Sequence, residues 1–89
     1  MASREILIAR SAARYLEHLD RPTRERMHAR IREIAAEPEN LRYSRPLKNT
    51  DLRSAHVGGW RILCRAVGSQ LLVTDIEPRG QVYRNLQRR

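Results

Sequence analysis

The stretch Leu52-Arg53-Ser54-Ala55-His56-Val57, Gly58-Gly59, Trp60-Arg61-Ile62-Leu63-Cys64-Arg65-Ala66-Val67, Gly68-Ser69-Gln70, Leu71-Leu72-Val73-Thr74-Asp75-Ile76-Glu77 decides the fold. Three short apolar runs are separated by glycine-led segments, and glycine tolerates the left-handed backbone that a tight hairpin turn demands. The expectation is an antiparallel meander with strands over 52–57, 60–67 and 71–77. Side chains alternate across a strand, so one face of the meander is set to pack on a core and the other to carry polar and basic groups.

Upstream, Ile6-Leu7-Ile8-Ala9 is a short, β-branched run bounded by polar residues and reads as a first strand. Ser11 is a candidate cap for the helix that follows, in which Ala12, Tyr15, Leu16 and Leu19 recur at three and four residues and line one face. Asp20-Arg21-Pro22 interrupts it, and proline is well tolerated in the first turn of the next helix. There Met27, Ile31, Ile34 and Ala35 form a second apolar stripe, with Arg24, Glu25, Arg30, Arg32 and Glu33 mostly elsewhere around the cylinder. Pro38 ends this helix, because the residue before a proline is pushed out of the helical region. So short a connection predicts a helical hairpin whose two stripes need a sheet to cover. Residues 38–50 read as a surface loop with Leu47 as an anchor, and 81–89 as a short terminal helix. The expected fold is α+β in two layers, ordered β-α-α-β-β-β with a short C-terminal helix. A helical hairpin then lies on one face of a mainly antiparallel sheet.

Eighty-nine residues suffice for one small domain, taken here as 1–89. The net charge of +8 is almost wholly guanidinium, since Lys48 is the only lysine among eighteen basic residues. Guanidinium favours bidentate and stacking recognition of phosphate over a diffuse cationic cloud. Most of these arginines are expected to be plain solvated surface, so only positioned ones carry an argument. Cys64 is alone, which excludes an internal disulfide, and its apolar neighbours predict a buried thiol. No apolar stretch reaches membrane-spanning length and no secretory signal is visible, so the expected location is the cytoplasm. His18, His28, His56 and Cys64 lack metal-ligand spacing, and no phosphate-cradling glycine loop or serine triad is present. No cofactor is expected.

Arg61 near the start of a strand, with Arg79 and Tyr83 beyond the last one, places guanidinium forks and a phenol where a sheet could hold them against a phosphate. If 81–89 begins a helix, Arg79 and Tyr83 lie one turn apart. Each has a plainer reading: Asp75 or Glu77 could pair with Arg61 across strands, Tyr83 could pack the last helix, and Trp60 belongs in or beside the core.

Four segments together resemble the RelE/ParE superfamily of bacterial toxins. They are Ser11-Ala12-Ala13-Arg14-Tyr15-Leu16-Glu17-His18-Leu19, Pro46-Leu47-Lys48, Leu52 through Leu63, and Pro78-Arg79-Gly80-Gln81-Val82-Tyr83-Arg84. The resemblance spans nearly the whole chain and implies the toxin of a type II toxin-antitoxin pair. It further implies a metal-free endoribonuclease acting on ribosome-bound mRNA to inhibit translation, or alternatively a ParE-like, non-enzymatic poison of DNA gyrase. By that likeness Arg61, Arg79 and Tyr83 are the catalytic candidates, and Lys48, Arg53, His56 and Arg84 are RNA-binding candidates. The chain departs from the nuclease pattern in having Glu77 and Pro78 where some members carry an arginine, and His56 where an arginine is common. The implied partner is a cognate antitoxin in a hetero-oligomeric complex, with an acidic or amphipathic segment covering the basic face.

Cleavage of this kind uses the ribose 2′-hydroxyl as nucleophile on the adjacent phosphate. It requires a proton acceptor, stabilisation of added negative charge and a proton for the leaving oxygen. Guanidinium groups supply only the electrostatic part, because they do not lose a proton near neutrality. Tyr83 is therefore the candidate base, made more acidic by neighbouring guanidinium groups, or else a stacking platform.

Overall fold

The computed structural model describes residues 3–78. Arg79, Tyr83, Arg84 and the helix expected over 81–89 lie outside the described residues. In chain order the elements are β1 (Glu5–Ile8), α1 (Arg10–Glu17), α2 (Arg21–Ala36), β2 (Arg45–Pro46), β3 (Arg53–Val57), β4 (Trp60–Val67) and β5 (Gln70–Pro78). The strands form one sheet in the order β1-β5-β4-β3-β2. The expected meander is present, and β1 joins its far edge parallel to β5, with Glu5 to Ile8 opposite Gln70 to Val73.

Both hairpins turn on a glycine in the left-handed region, Gly58 at φ 61° and Gly68 at φ 57°. A residue with a Cβ would be strained at either position. The short strand β2 was not expected. Its two residues pair antiparallel with Ser54 and Arg53 inside the segment read as loop, and Pro46 limits further ladder growth at this edge. Leu47 is half-buried, in keeping with its expected anchoring role.

Two helix starts behave differently. Asp20 caps α2, its carboxylate accepting a hydrogen bond from the Thr23 amide at 3.3 Å, with Pro22 in the first turn. Ser11 does not cap α1. The cap position is Ala9, which offers no side-chain acceptor, and Ser11 sits inside the helix. The Ala9 amide bonds back to the Val73 carbonyl at 2.9 Å, so the chain enters α1 directly from the β1 edge of the sheet.

Both helical stripes bury against one sheet face. Ala12 and Leu16 of α1, and Met27, Ile31, Ile34 and Ala35 of α2, meet Ala55, Val57, Ile62, Cys64, Leu71, Val73 and Ile76. The spacing of the last three breaks strict alternation, and a bulge accounts for it. Ile62 faces Ile76 and Leu63 faces Asp75, but Cys64 faces Val73, leaving Thr74 as an extra residue in β5. The Thr74 hydroxyl donates to the Leu63 carbonyl at 3.2 Å. The extra residue keeps Ile76 in the core and turns Asp75 and Glu77 to the opposite face. At the hairpin end of the sheet Trp60 meets Tyr15 edge to face, with ring centroids 5.7 Å apart.

Candidate functional site

The sheet face turned away from the helices is built by the residues alternating with the core set. Cross-strand register places His56 opposite Arg61 and Arg61 opposite Glu77, so three ionisable side chains share one row across β3, β4 and β5. Arg61 is half-buried, and its Nε is shielded from solvent with no hydrogen-bond partner among the described residues. A buried, unpaired donor is costly, and more so on a charged group, which readies this N–H to donate to an anionic ligand. Arg65, on the same face, likewise has an Nε without a partner among the described residues, but its Nη1 pairs with Asp51 at 3.3 Å. Glu77 also acts beyond its row. The Tyr15 hydroxyl is held above the usual tyrosine range, mainly by burial and secondarily by the negative charge of Glu77.

The other expected site residues are placed apart. Arg53 is the direct cross-strand partner of Cys64 and shares the helix-side face of the sheet. Its Nε donates to Ser44 Oγ at 2.8 Å and its Nη2 to the Ser44 carbonyl at 3.0 Å. Ser44 is buried and donates in turn to the Pro38 carbonyl at 3.2 Å, so Arg53 ties the 38–44 loop to the sheet. Lys48 is exposed in the turn between β2 and β3, at the end of β3 opposite the hairpin that carries His56 and Arg61. The structure thus brings His56 and Arg61 together and leaves Lys48 and Arg53 elsewhere. Cys64 is fully buried, and burial pushes its thiol up to about 11 against the opposing pull of Arg53, which leaves no thiolate for chemistry. Among the described residues no group of three or more histidines, cysteines or carboxylates is arranged to hold a metal ion. None of the described helices is long and apolar enough to cross a membrane.

A second basic feature adjoins the row. A groove of about 320 Å³ is lined by Arg30 of α2, residues 41–45 and Ser54 to His56 of β3. Arg30 stands 5.9 Å from the Tyr43 ring centroid, and its Nη1 donates to the His56 carbonyl at 3.5 Å. The sequence reading did not single out Arg30, Arg42, Tyr43 or Arg45 as site residues. The signal available was the interleaving of basic and aromatic residues in Leu41-Arg42-Tyr43-Ser44-Arg45.

A fold of this topology, with Arg61 set between His56 and Glu77 on the sheet face turned away from the helices, defines a class of known proteins. The model of the ParE toxin family of type II toxin-antitoxin systems (parDE) matches residues 6–83. The chain belongs to this family, within the RelE/ParE superfamily. No curated protein matches the sequence. Among solved structures, the toxin-antitoxin complex RelBE2 from Mycobacterium tuberculosis is similar at 21% identity and TM-score 0.74, over 89% of this chain and 94% of that one. The archaeal RelE-RelB complex from Pyrococcus horikoshii OT3 is similar at 16% identity and TM-score 0.75, over 90% and 99% respectively. The intact E. coli RelBE complex gives TM-score 0.76 at 14% identity, over 85% and 96%. At these identities the likeness is one of fold.

Proposed function

We propose that this toxin is a metal-free endoribonuclease that cleaves ribosome-bound mRNA, with Arg61 as the central phosphate-binding group. The observation that carries this reading is the solvent-shielded Nε of Arg61, without a hydrogen-bond partner among the described residues, on the sheet face turned away from the helices and beside His56. In the proposed reaction the ribose 2′-hydroxyl attacks the neighbouring phosphorus and the bond to the 5′-oxygen of the next nucleotide breaks. Arg61 stabilises the charge added to the phosphoryl oxygens. The proton removed from the 2′-hydroxyl passes to a base, assigned to Tyr83 on sequence resemblance, and one is returned to the leaving oxygen. Arg79 and Arg84 are assigned supporting phosphate contacts on the same grounds, and Lys48 and Arg53 are retained as outer RNA contacts.

A second reading, a ParE-like gyrase poison without nuclease activity, draws support from the match to the ParE toxin family and from one feature of the row. Glu77 stands opposite Arg61 and places a carboxylate where an RNA phosphate would approach. Under either reading the partner in the cell is a cognate antitoxin, consistent with the toxin-antitoxin complexes among the structural neighbours. Its acidic or amphipathic segment would cover the basic face. Induced expression followed by mapping of RNA 5′ ends and of gyrase-linked DNA breaks separates the readings. New RNA ends without DNA breaks are expected, and DNA breaks on intact mRNA would replace the nuclease reading with the second.

A further inference from the structure

We infer that the groove between α2, residues 41–45 and β3 is a second seat for the RNA strand, holding a nucleotide that flanks the one gripped at Arg61. This inference rests on the RNA-cleaving reading proposed above. The groove exists because β2 pairs with only Arg53 and Ser54, after which the chain upstream of Arg45 diverges from the sheet and leaves residues 55–57 of the β3 edge without a strand partner among the described residues, with Arg30 reaching the His56 carbonyl there. Arg42 and Arg45 flank the opening, both exposed and without an ion-pair partner among the described residues, while Arg30 forms the wall and is pinned by Glu33 at 3.1 Å. Among the described residues, the one carboxylate engaged with this cluster is therefore already bound to Arg30. Positive charge at the mouth is uncompensated among the described residues, which suits an anionic backbone.

Geometry links the groove to the Arg61 row. Arg45 faces Ser54 on β3, two residues from His56, and His56 faces Arg61 on β4. Two strand spacings across and two residues along put the Arg45 and Arg61 backbones roughly 12 Å apart. One extended strand can pass over both while His56 lies between them. Tyr43, half-buried and backed by Arg30, supplies an aromatic surface at the groove on which a base can stack. A volume of about 320 Å³ accommodates a single nucleotide unit rather than a duplex.

The test uses the full chain and a short 2′-O-methyl RNA oligonucleotide, which lacks the attacking hydroxyl and stays intact while fluorescence anisotropy is read over a range of salt concentrations. Arg42→Gln combined with Arg45→Gln is expected to weaken binding roughly tenfold or more. It should also flatten the plot of log affinity against log salt by about 1.4, or about 0.7 for each phosphate no longer neutralised. A charge-matched control, Arg10→Gln with Arg14→Gln on the exposed surface of α1, is expected to leave that slope nearly unchanged. An equal loss in both double variants would reduce the effect to overall charge and overturn the groove as a site. Unaltered RNA binding in the groove variant, with or without weakened binding of the antitoxin, would overturn it too, yet leave the nuclease reading standing. Absence of RNA binding by the parent chain would overturn the groove as a site, whereas the nuclease reading is ended by intact mRNA in the mapping of RNA 5′ ends.

Discussion

Arg61 and Glu77 face each other across β4 and β5 on the side of the sheet that the helices leave uncovered. The carboxylate offsets part of the charge that a phosphate would seek, while the Arg61 Nε keeps no hydrogen bond among the described residues. The two residues are therefore expected to act in opposite directions on RNA. Arg61→Ala should lower cleavage of ribosome-bound mRNA by about a hundredfold or more, with Tyr83→Phe also impaired. Glu77→Gln should tighten RNA binding by about two- to fivefold, as befits one solvent-screened charge. Primer extension on ribosomal complexes and an anisotropy titration read the two effects, and unchanged cleavage in both Arg61→Ala and Tyr83→Phe would remove the nuclease assignment.

The core is small, so single truncations in it should be severe. Ile62 is fully buried and lies between strands β3 and β5, directly opposite Ala55 and Ile76. Ile62→Ala is expected to destabilise by about 2–5 kcal/mol, a large part of the total available to a domain of this size. Urea unfolding followed by circular dichroism measures it, and a loss well below that range would mean that the sheet and helices close over the vacancy.

Asp20 ties stability to pH through its cap. Its hydrogen bonds with Thr23, chiefly from the side chain, and the nearby Arg26 hold its carboxyl below the ordinary aspartate range. A carboxyl more acidic in the folded than in the unfolded chain stabilises at pH above its unfolded value, and that contribution disappears as pH falls through the lower folded value. Asp20→Asn retains a capping acceptor without titrating. Thermal melts from neutral to acidic pH should converge for the two proteins at the acid end, and a constant gap between them would assign the cap no part in the acid response.

Cys64 should behave as packing. With its thiol pushed up to about 11 and the residue fully buried, alkylation at mildly alkaline pH is expected to be negligible in the native protein and rapid in denaturant. Mass spectrometry after timed exposure to iodoacetamide checks this, and rapid labelling of the folded chain would contradict the burial.

The meander was legible because its punctuation is local. Gly58 and Gly68 supply the positive φ that each hairpin turn needs, and the apolar runs between them have strand length. The helices were legible for the same reason, through Met27, Ile31 and Ile34 at helical spacing and Pro22 and Pro38 at the ends. Ser11 misled because a serine beside an apolar stripe resembles a cap, whereas the direct passage from β1 into α1 puts Ala9 at that position. The site was less legible. Arg53 carries the right charge, but strand parity sends it to the helix side, where Ser44 binds it. The groove residues escaped notice because Arg30 is distant in sequence from Arg42, Tyr43 and Arg45, and β2 is too short to register as a strand.

Composition and periodicity by themselves determined an α+β fold, two amphipathic helices, glycine-hinged hairpins and an arginine-dominated charge, since each depends on neighbours a few residues apart. Which charges share a face was decided only in three dimensions. Strict alternation from Leu71 and Val73 would have turned Glu77 toward the core, and the single extra residue at Thr74 reverses that parity, buries Ile76 and sets Glu77 against Arg61. A bulge is fixed by which partner strand the core demands at each position, a long-range choice that no local window of sequence contains.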